Sequence, residues 1–292
     1  MVVLSGVQDR LAPLQAWLFP QRVYLELQDT AITAMALDGR QLVWLERVPL
    51  PAGTCVAGHP MAPDALGDLL GDWLLERGFG GARVRAVLPS QATAVRLLQG
   101  DPALAADQRD LLQLPWAEDK PLDLIAQPLQ DAPGRSLLVA AQSALLESWI
   151  EVFALAALPL DRLEAAPLCA AQAVDAELVL LVEAQGSTLL RCQAGVPQWQ
   201  WPLPAAMPCE SFVEALIPCL AYWPQLRSLQ LVVAAGADLE PQALALELQQ
   251  DLPVRVDVTD PLSSSWLLDG RPEPTAVSAA LLWGLAAAEL AP

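Results

Sequence analysis

The sequence predicts an α/β chain made of two similar halves. Strands alternate with segments of helical period in both halves, which argues for two α/β layers with mostly parallel sheets. The stretch from Leu178 repeats the opening one at the level of its supersecondary unit. With 292 residues, 54% of them hydrophobic, the chain can bury a real core in each half.

Three strands open the chain: "VYLELQ" (23–28), "AITAMAL" (31–37) and "QLVWLERV" (41–48). Asp38, Gly39 and Arg40 supply the turn between the last two, since Asp-Gly suits turn positions of positive φ. A helix follows from Pro63 to Gly78. Leu66, Leu69, Leu70, Trp73 and Leu74 give it an apolar face, and Gly78 ends it. Asp64, Asp68, Asp72 and Glu76 recur every four residues and read as a solvated outer face. A middle segment, about 83–165, mixes the strands "VRAVLP", "LDLIAQPL" and "SLLVAAQ" with a helix at about 143–157. Then "LVLLVEAQGSTLLRCQAGVPQWQWPLP" restates the opening meander. Glu26-Leu27-Gln28 overlays Glu183-Ala184-Gln185, and Thr30 overlays Ser187. Helices at about 209–222, 240–250 and 275–289 alternate with the strands "SLQLVVAA" and "VRVDV" in the rest of the chain.

The formal net charge is −18, and Lys120 is the single lysine. Phosphate backbones require clustered Lys and Arg, so nucleic acid is a poor partner, and anionic lipid is disfavoured for the same reason. The five cysteines are scattered without a C-x-x-C pair and read as buried reduced thiols. His59, the single histidine, makes neither a zinc site nor a Ser-His-Asp triad and reads as a surface-loop residue. The start "MVVLSGVQDR" has no basic–apolar signal pattern. The apolar stretch 276–288 is too short to span a bilayer. These features lead to the expectation of a cytosolic chain without its own membrane segment.

Several passages carry a family resemblance by their order. "VRAVLPSQATAVRLLQ" (84–99) is followed by "LLQLPWAEDKPLDL" (111–124) and then by "SLLVAAQSALLESWIEVFALAALPLDRLEAAPLCAAQAV" (136–174). "LQLVVAAGADL" (229–239) and "VSAALLWGLAAAEL" (277–290) complete the series. The chain resembles the PilM family of type IV pilus assembly, within the actin-like ATPase superfamily. It is also similar to MSHA-pilus and GspL-like cytoplasmic domains, the former through its "LPW". The resemblance implies an actin-like, ribonuclease H-like duplicated two-lobe fold with an inserted α+β subdomain in the first lobe. It divides the chain into an N-terminal extension (1–20), a first lobe (21–82 and 166–176), the insertion (83–165) and a second lobe (177–292). Residues 1–20 match nothing in the family; "LQAWLF" is either a short docking helix or a disordered start.

In that superfamily both strand–turn–strand units clamp nucleotide phosphates. An acid positions Mg²⁺ or water, and a glycine lets backbone N–H groups approach the phosphate. The resemblance places the acids at Glu26 and Glu183, and puts Gln28 and Gln185 where the glycines belong. Asp29 adds negative charge to the first turn, next to Thr30. Gly186, Ser187 and Thr188 preserve part of the second turn. Gly236 survives in the third loop, beside Ala235 where a second glycine belongs. The implied site is a vestigial nucleotide site without catalytic or metal-binding residues, with Gln28 and Gln185 facing each other across a cleft. No cofactor is expected, with ATP and Mg²⁺ bound only if the site is retained.

The resulting expectation is a non-catalytic cytosolic scaffold, held at the inner membrane through its partners. The alternative is an ATP-binding PilM whose partner contacts are nucleotide-controlled. A sugar-kinase-like enzyme is more remote, because the middle segment lacks a catalytic Asp in a glycine-containing loop. Acid–base hydrolysis by the two carboxylates is disfavoured, because a superfamily cleft holds acids there anyway. The implied partner is the cytosolic N-terminal tail of a PilN-like single-span membrane protein, with other pilus platform proteins as further partners. The tail would lie in a groove between the first lobe and the insertion. Trp116, Glu118 and Asp119 are its candidate lining; ordinary subdomain core is the other reading of Trp116.

Overall fold

The computed structural model describes residues 21–39, 41–99, 114–116, 120–129, 134–206, 209–258 and 278–290. The extension 1–20 therefore lies outside the described residues, as do Glu118 and Asp119.

The opening meander consists of β1 (Arg22–Leu27), β2 (Ala31–Asp38) and β3 (Gln41–Pro49). Val23 to Leu27 are all buried, as expected of a central strand covered on both faces. Gly39 takes φ +58° in the β2–β3 turn. The loop around His59 contains a two-residue ladder, β4 (Cys55–Val56) with β5 (His59–Pro60). Helix α1 (Pro63–Glu76) buries Leu66, Leu70, Trp73 and Leu74, and exposes the acidic stripe. Gly78 ends it at φ +82°, and its N–H donates to the Leu75 carbonyl at 3.0 Å.

Next come β6 (Arg83–Leu88), β7 (Thr93–Gln99), β8 (Leu122–Pro128), β9 (Arg135–Gln142), α2 (Ser143–Leu155), β10 (Leu160–Ala165) and α3 (Ala166–Ala173). The second half starts again with β11 (Leu178–Val182), β12 (Ser187–Gln193) and β13 (Val196–Leu203). Helix α4 (Cys209–Leu220), β14 (Ser228–Val233), α5 (Pro241–Asp251), β15 (Arg255–Val258) and α6 (Ala280–Leu290) follow.

Two five-stranded sheets have matching order, β3-β2-β1-β6-β10 and β13-β12-β11-β14-β15. Each is mixed rather than mostly parallel. The meander strands pair antiparallel through short turns, whereas β6 and β10, like β14 and β15, join in parallel. Parallel neighbours need a crossover, and the helices between them supply it. The third sheet, β7-β9-β8, is antiparallel throughout. The segment expected as the insertion, 83–165, thus gives two strands and α2 to the first lobe. The separate sheet is confined to β7, β8 and β9.

The core has three main layers. Helices α1 and α2 cover one face of the first sheet with a cluster that includes Leu70, Trp149 and Phe153. Gly67 and Gly71 let α1 approach α2: a Cβ on Gly67 would lie 2.6 Å from the Leu155 Cβ. Helices α4 and α5 cover the second sheet in the same way, around Phe212, Leu216 and Leu248. Between the sheets lie α3 and α6, packed with Met35 and Val87 on one side and Leu181 and Leu190 on the other. Among the described residues, no helix is long and apolar enough to cross a membrane. Cys55, Cys169, Cys192 and Cys219 are buried free thiols, and burial pushes Cys55 and Cys192 up to about 12.

Candidate functional site

The ladders of the two meanders fix how the halves superimpose. The last β1–β2 pair is Leu27 with Ile32, and the last β11–β12 pair is Val182 with Ser187. The parallel neighbours give the same offset. Glu26 lies beside Val87 on β6, and Leu181 lies beside Val232 on β14. Gln28 therefore corresponds to Glu183, Thr30 to Gln185 and Ala31 to Gly186. The overlay drawn from the repeated Glu-x-Gln string is displaced by two residues. Glu26 stands inside its strand as the counterpart of Leu181, and the first turn carries an amide where the second carries its acid.

The short helical turns after β6 and β14 obey the same symmetry. Ser90–Ala92 follows Pro89, and Ala235–Ala237 follows Ala234. Each faces the opposite lobe's meander turn. The Ser90 N–H is shared by the two Glu183 carboxylate oxygens, at 3.1 and 3.2 Å. The Gly236 N–H donates to Glu26 Oε1 at 3.3 Å, and the Thr30 hydroxyl donates to the Gly236 carbonyl at 3.2 Å. Between them Gln28 Nε2 donates to Glu183 Oε1 at 3.3 Å. Corresponding residues that touch must straddle the pseudo-two-fold axis, so this pair marks it. At the rim Arg47 pairs with Asp238 at 3.1 Å.

Gln28 is buried, and its Cβ and Cγ would each be 2.6 Å from a Cβ on Gly236. The glycine is thus required by the glutamine lying on it. Asp29 takes the N–H groups of Ala57 and Gly58, at 2.8 and 2.7 Å, and the Gln91 amide at 3.3 Å. Those two N–H groups converge because Ala57 and Gly58 have φ +53° and +76°.

Burial dominates the electrostatics of both acids. Glu26 is fully buried and its carboxyl is raised from 4.5 to about 8, despite the Gly236 N–H; the charge of Glu183 adds to the rise. One Glu26 oxygen has no hydrogen-bond partner. Glu183 is also raised by burial, while the hydrogen bonds from Ser90 and Gln28 hold it back. Among the described residues, no group of three His, Cys, Asp or Glu side chains could hold a metal ion.

A cavity of about 190 Å³ remains beside this cluster, lined by Gln28, Ser90, Glu183, Gln185, Thr188 and Gln200 among others. Gln28 and Gln185 share it, but Gln185 is exposed and the bond across the cleft is made by Glu183. Gly186 accepts the Glu183 N–H at 2.9 Å, and Ser187 and Thr188 are buried in the cavity wall. Ser90 and the Ala57–Gly58 turn escape sequence reasoning. The signal for Ser90 is the continuation of the repeat past the meander, where "VLPSQA" answers "VVAAGA". Trp116 is half-buried and lies apart from this cluster in the chain, in the segment before β8.

No protein-family model matches the chain, and no curated protein matches it by sequence. Solved structures do. A structure of the PilM–PilN type IV pilus biogenesis complex matches with TM-score 0.75 and 18% identity, over 93% of this chain and 99% of the other. The cytoplasmic domain of EpsL, an inner membrane component of the type II secretion system of Vibrio cholerae, matches with TM-score 0.52 and 8% identity. That match covers 93% of this chain and 96% of the other. A Bacteroides thetaiotaomicron protein with actin-like ATPase fold matches with TM-score 0.54 and 11% identity, over 84% and 93% of the two chains. Matching sheet orders, two paired meander turns on one axis and these similarities lead to one conclusion: the chain has the duplicated two-lobe actin-like ATPase fold.

Proposed function

We propose that the chain is a non-catalytic actin-like scaffold of a type IV pilus or related secretion platform, whose nucleotide site is degenerate. The chemistry of the cleft is the observation that carries this reading. Phosphate binding by this kind of turn relies on backbone N–H groups that face an anion from outside the chain. Here the N–H groups of Ser90, Gly236, Ala57 and Gly58 face the chain's own Glu183, Glu26 and Asp29. A phosphate would meet these carboxyl groups, and Gln28 would have to leave Gly236 to admit it. ATP and Mg²⁺ therefore do not fit the residues present, and no chemical step is assigned to them.

The likeness to a PilM–PilN complex supports a PilN-like partner for this chain. The N-terminal cytosolic tail of such a single-span protein lies just inside the membrane, where Lys and Arg are enriched. A receptor of charge −18 would attract it over long range. The groove between the first lobe and the third sheet, near Trp116, is its candidate seat. Other platform proteins would assemble on the same scaffold and hold it at the inner membrane.

A thermal melt with and without millimolar ATP and Mg²⁺ tests the reading. A ligand that binds the native state alone adds about 2.7 kcal/mol at a hundredfold excess over its Kd. No shift in Tm is expected. An upward shift that disappears in Glu183→Ala would overturn the proposal in favour of a nucleotide-controlled PilM.

A further inference from the structure

Four aromatic side chains meet on the outer side of the second lobe. Trp199 and Trp201 lie two residues apart on β13 and so point to the same face. Trp201 stands opposite Leu189, and Trp199 opposite Arg191. Tyr222 and Trp223 sit in the turn that ends α4, where their N–H groups donate to the Cys219 and Leu220 carbonyls at 3.3 and 3.0 Å. Trp201 stacks on Tyr222, with ring centroids 5.5 Å apart and 29° between planes. It meets Trp223 edge-on at 5.3 Å and lies 6.3 Å from Trp199.

The inner two rings explain themselves as packing, because Trp201 and Trp223 lean on the second core. The outer two do not. Trp199 is 63% exposed and Tyr222 69%. Their face is turned away from the third sheet, which is met by the alternate side chains of β13. Arg135 donates to Gln198 Oε1, and the Val95 N–H to Gln200 Oε1, each at 3.3 Å. Helix α4, which ends at the patch, exposes Glu210, Glu214 and Ile217 along one face at helical spacing.

The surrounding charge says what covers this face. Residues 177–258 carry nine carboxyl side chains, of which Glu183 is buried in the cleft, and three arginines. Of those arginines, Arg191 pairs with Glu177 and Arg255 with Asp257, leaving Arg227 beyond the aromatic turn. A second copy would bring −18 against −18, and a two-fold contact would set the α4 glutamates against each other. An anionic bilayer is opposed by the same field.

We propose that this aromatic face docks a cationic segment of a partner protein, one rich in arginine. Guanidinium planes stack on exposed Trp and Tyr rings, and the neighbouring carboxylates favour their charge. The rings lie on the face of β13 opposite the one that carries Gln198 and Gln200 to the third sheet and the cavity wall, so the surface stands whether or not nucleotide binds.

The probe is a fluorescein-labelled dodecapeptide of alternating arginine and glycine, with a lysine–glycine counterpart. Its binding to the full chain is followed by fluorescence anisotropy at physiological salt. Trp199→Ala/Tyr222→Ala is expected to weaken binding about tenfold, and Trp199→Phe/Tyr222→Phe to keep it within about threefold. The arginine peptide should bind tighter than the lysine one, because the stacked plane matters as well as the charge. Asp64→Asn/Asp68→Asn on α1 should leave affinity within about twofold, which separates the patch from general attraction to an acidic protein. If the alanine pair perturbs the melt, Trp199→Ala alone gives the reading, at about threefold. Unchanged affinity in the alanine variants overturns the proposal. So does a dimer in sedimentation that the alanine pair abolishes, since a second copy would then be the occupant.

Discussion

Glu26 is the residue whose chemistry departs furthest from what its letter implies. A glutamate on a strand next to a phosphate-type turn reads as an ionised ligand. In the structure it is buried, accepts one N–H and leaves its second oxygen unpartnered, so it keeps its proton up to about pH 8. The unfolded chain releases that proton near 4.5. Between these values the folded chain binds more protons than the unfolded one. The stability contributed is full below about pH 4.5 and is lost as the pH rises to about 8, with a slope of at most about 1.4 kcal/mol per pH unit. Glu183, raised in the same direction, adds to the trend. Glu26→Gln cannot ionise, so its Tm should fall less than wild type between pH 5.5 and pH 8. Parallel melts at the two pH values check this, and equal falls would count against a protonated Glu26. Sequence reasoning found both acids but misassigned their correspondence. The string Glu-x-Gln occurs in both turns by coincidence of letters, and the ladder that displaces one copy by two residues is set by backbone pairing. Gly236 is legible in the sequence, but the side chain that lies on it is not: a Cβ there would fall 2.6 Å from the Gln28 Cβ and Cγ.

At the level of elements, the meanders and α1 were legible because they carry strong local signals. Alternation, an Asp-Gly turn and an apolar helical face each report on one segment alone. Helix α3 was not legible as a helix. Residues 166–171 are all buried, so it has no polar face to set a period. Its partner α6 is similarly apolar, and the contact between them is closer than a side chain permits. A Cβ on Gly284 would fall 1.9 Å from the Cys169 carbonyl oxygen and 2.7 Å from its carbon. Both atoms are backbone, so no rotamer relieves the clash and the helices would have to separate. Gly284→Ala is expected to cost about 3 kcal/mol or more, at the severe end of overpacking. Denaturant titration measures it, and a loss below about 1 kcal/mol would mean that α3 and α6 tolerate a wider spacing. That both ends of the segment 83–165 join the first sheet is hidden from sequence patterns for a related reason. Strands β6 and β10 are separated by the whole third sheet in sequence, and only their parallel pairing puts them side by side.

For the whole molecule, the two lobes are joined on opposite sides of the axis by different means. On the cleft side are the hydrogen bonds among Gln28, Glu183, Ser90, Glu26 and Gly236. On the other side α3 and α6 fill the space between the sheets with apolar side chains. Two-lobed proteins that close around a ligand gain that closure from the contacts the ligand makes with both lobes, and so change shape with it. Here the turns already hold each other. Small-angle scattering should therefore give the same radius of gyration with and without ATP and Mg²⁺, and a measurable contraction would show that the clasp yields. Fold class and the two-lobe plan were readable from the repeat, whereas the state of the cleft depended on distances that no pattern encodes. The clasp also has a mechanical meaning. With Gln28 bonded to Glu183 in front and Gly284 seated on the Cys169 carbonyl behind, the lobes are tied at two places far apart in the chain, and a pull applied to one lobe reaches the other through both.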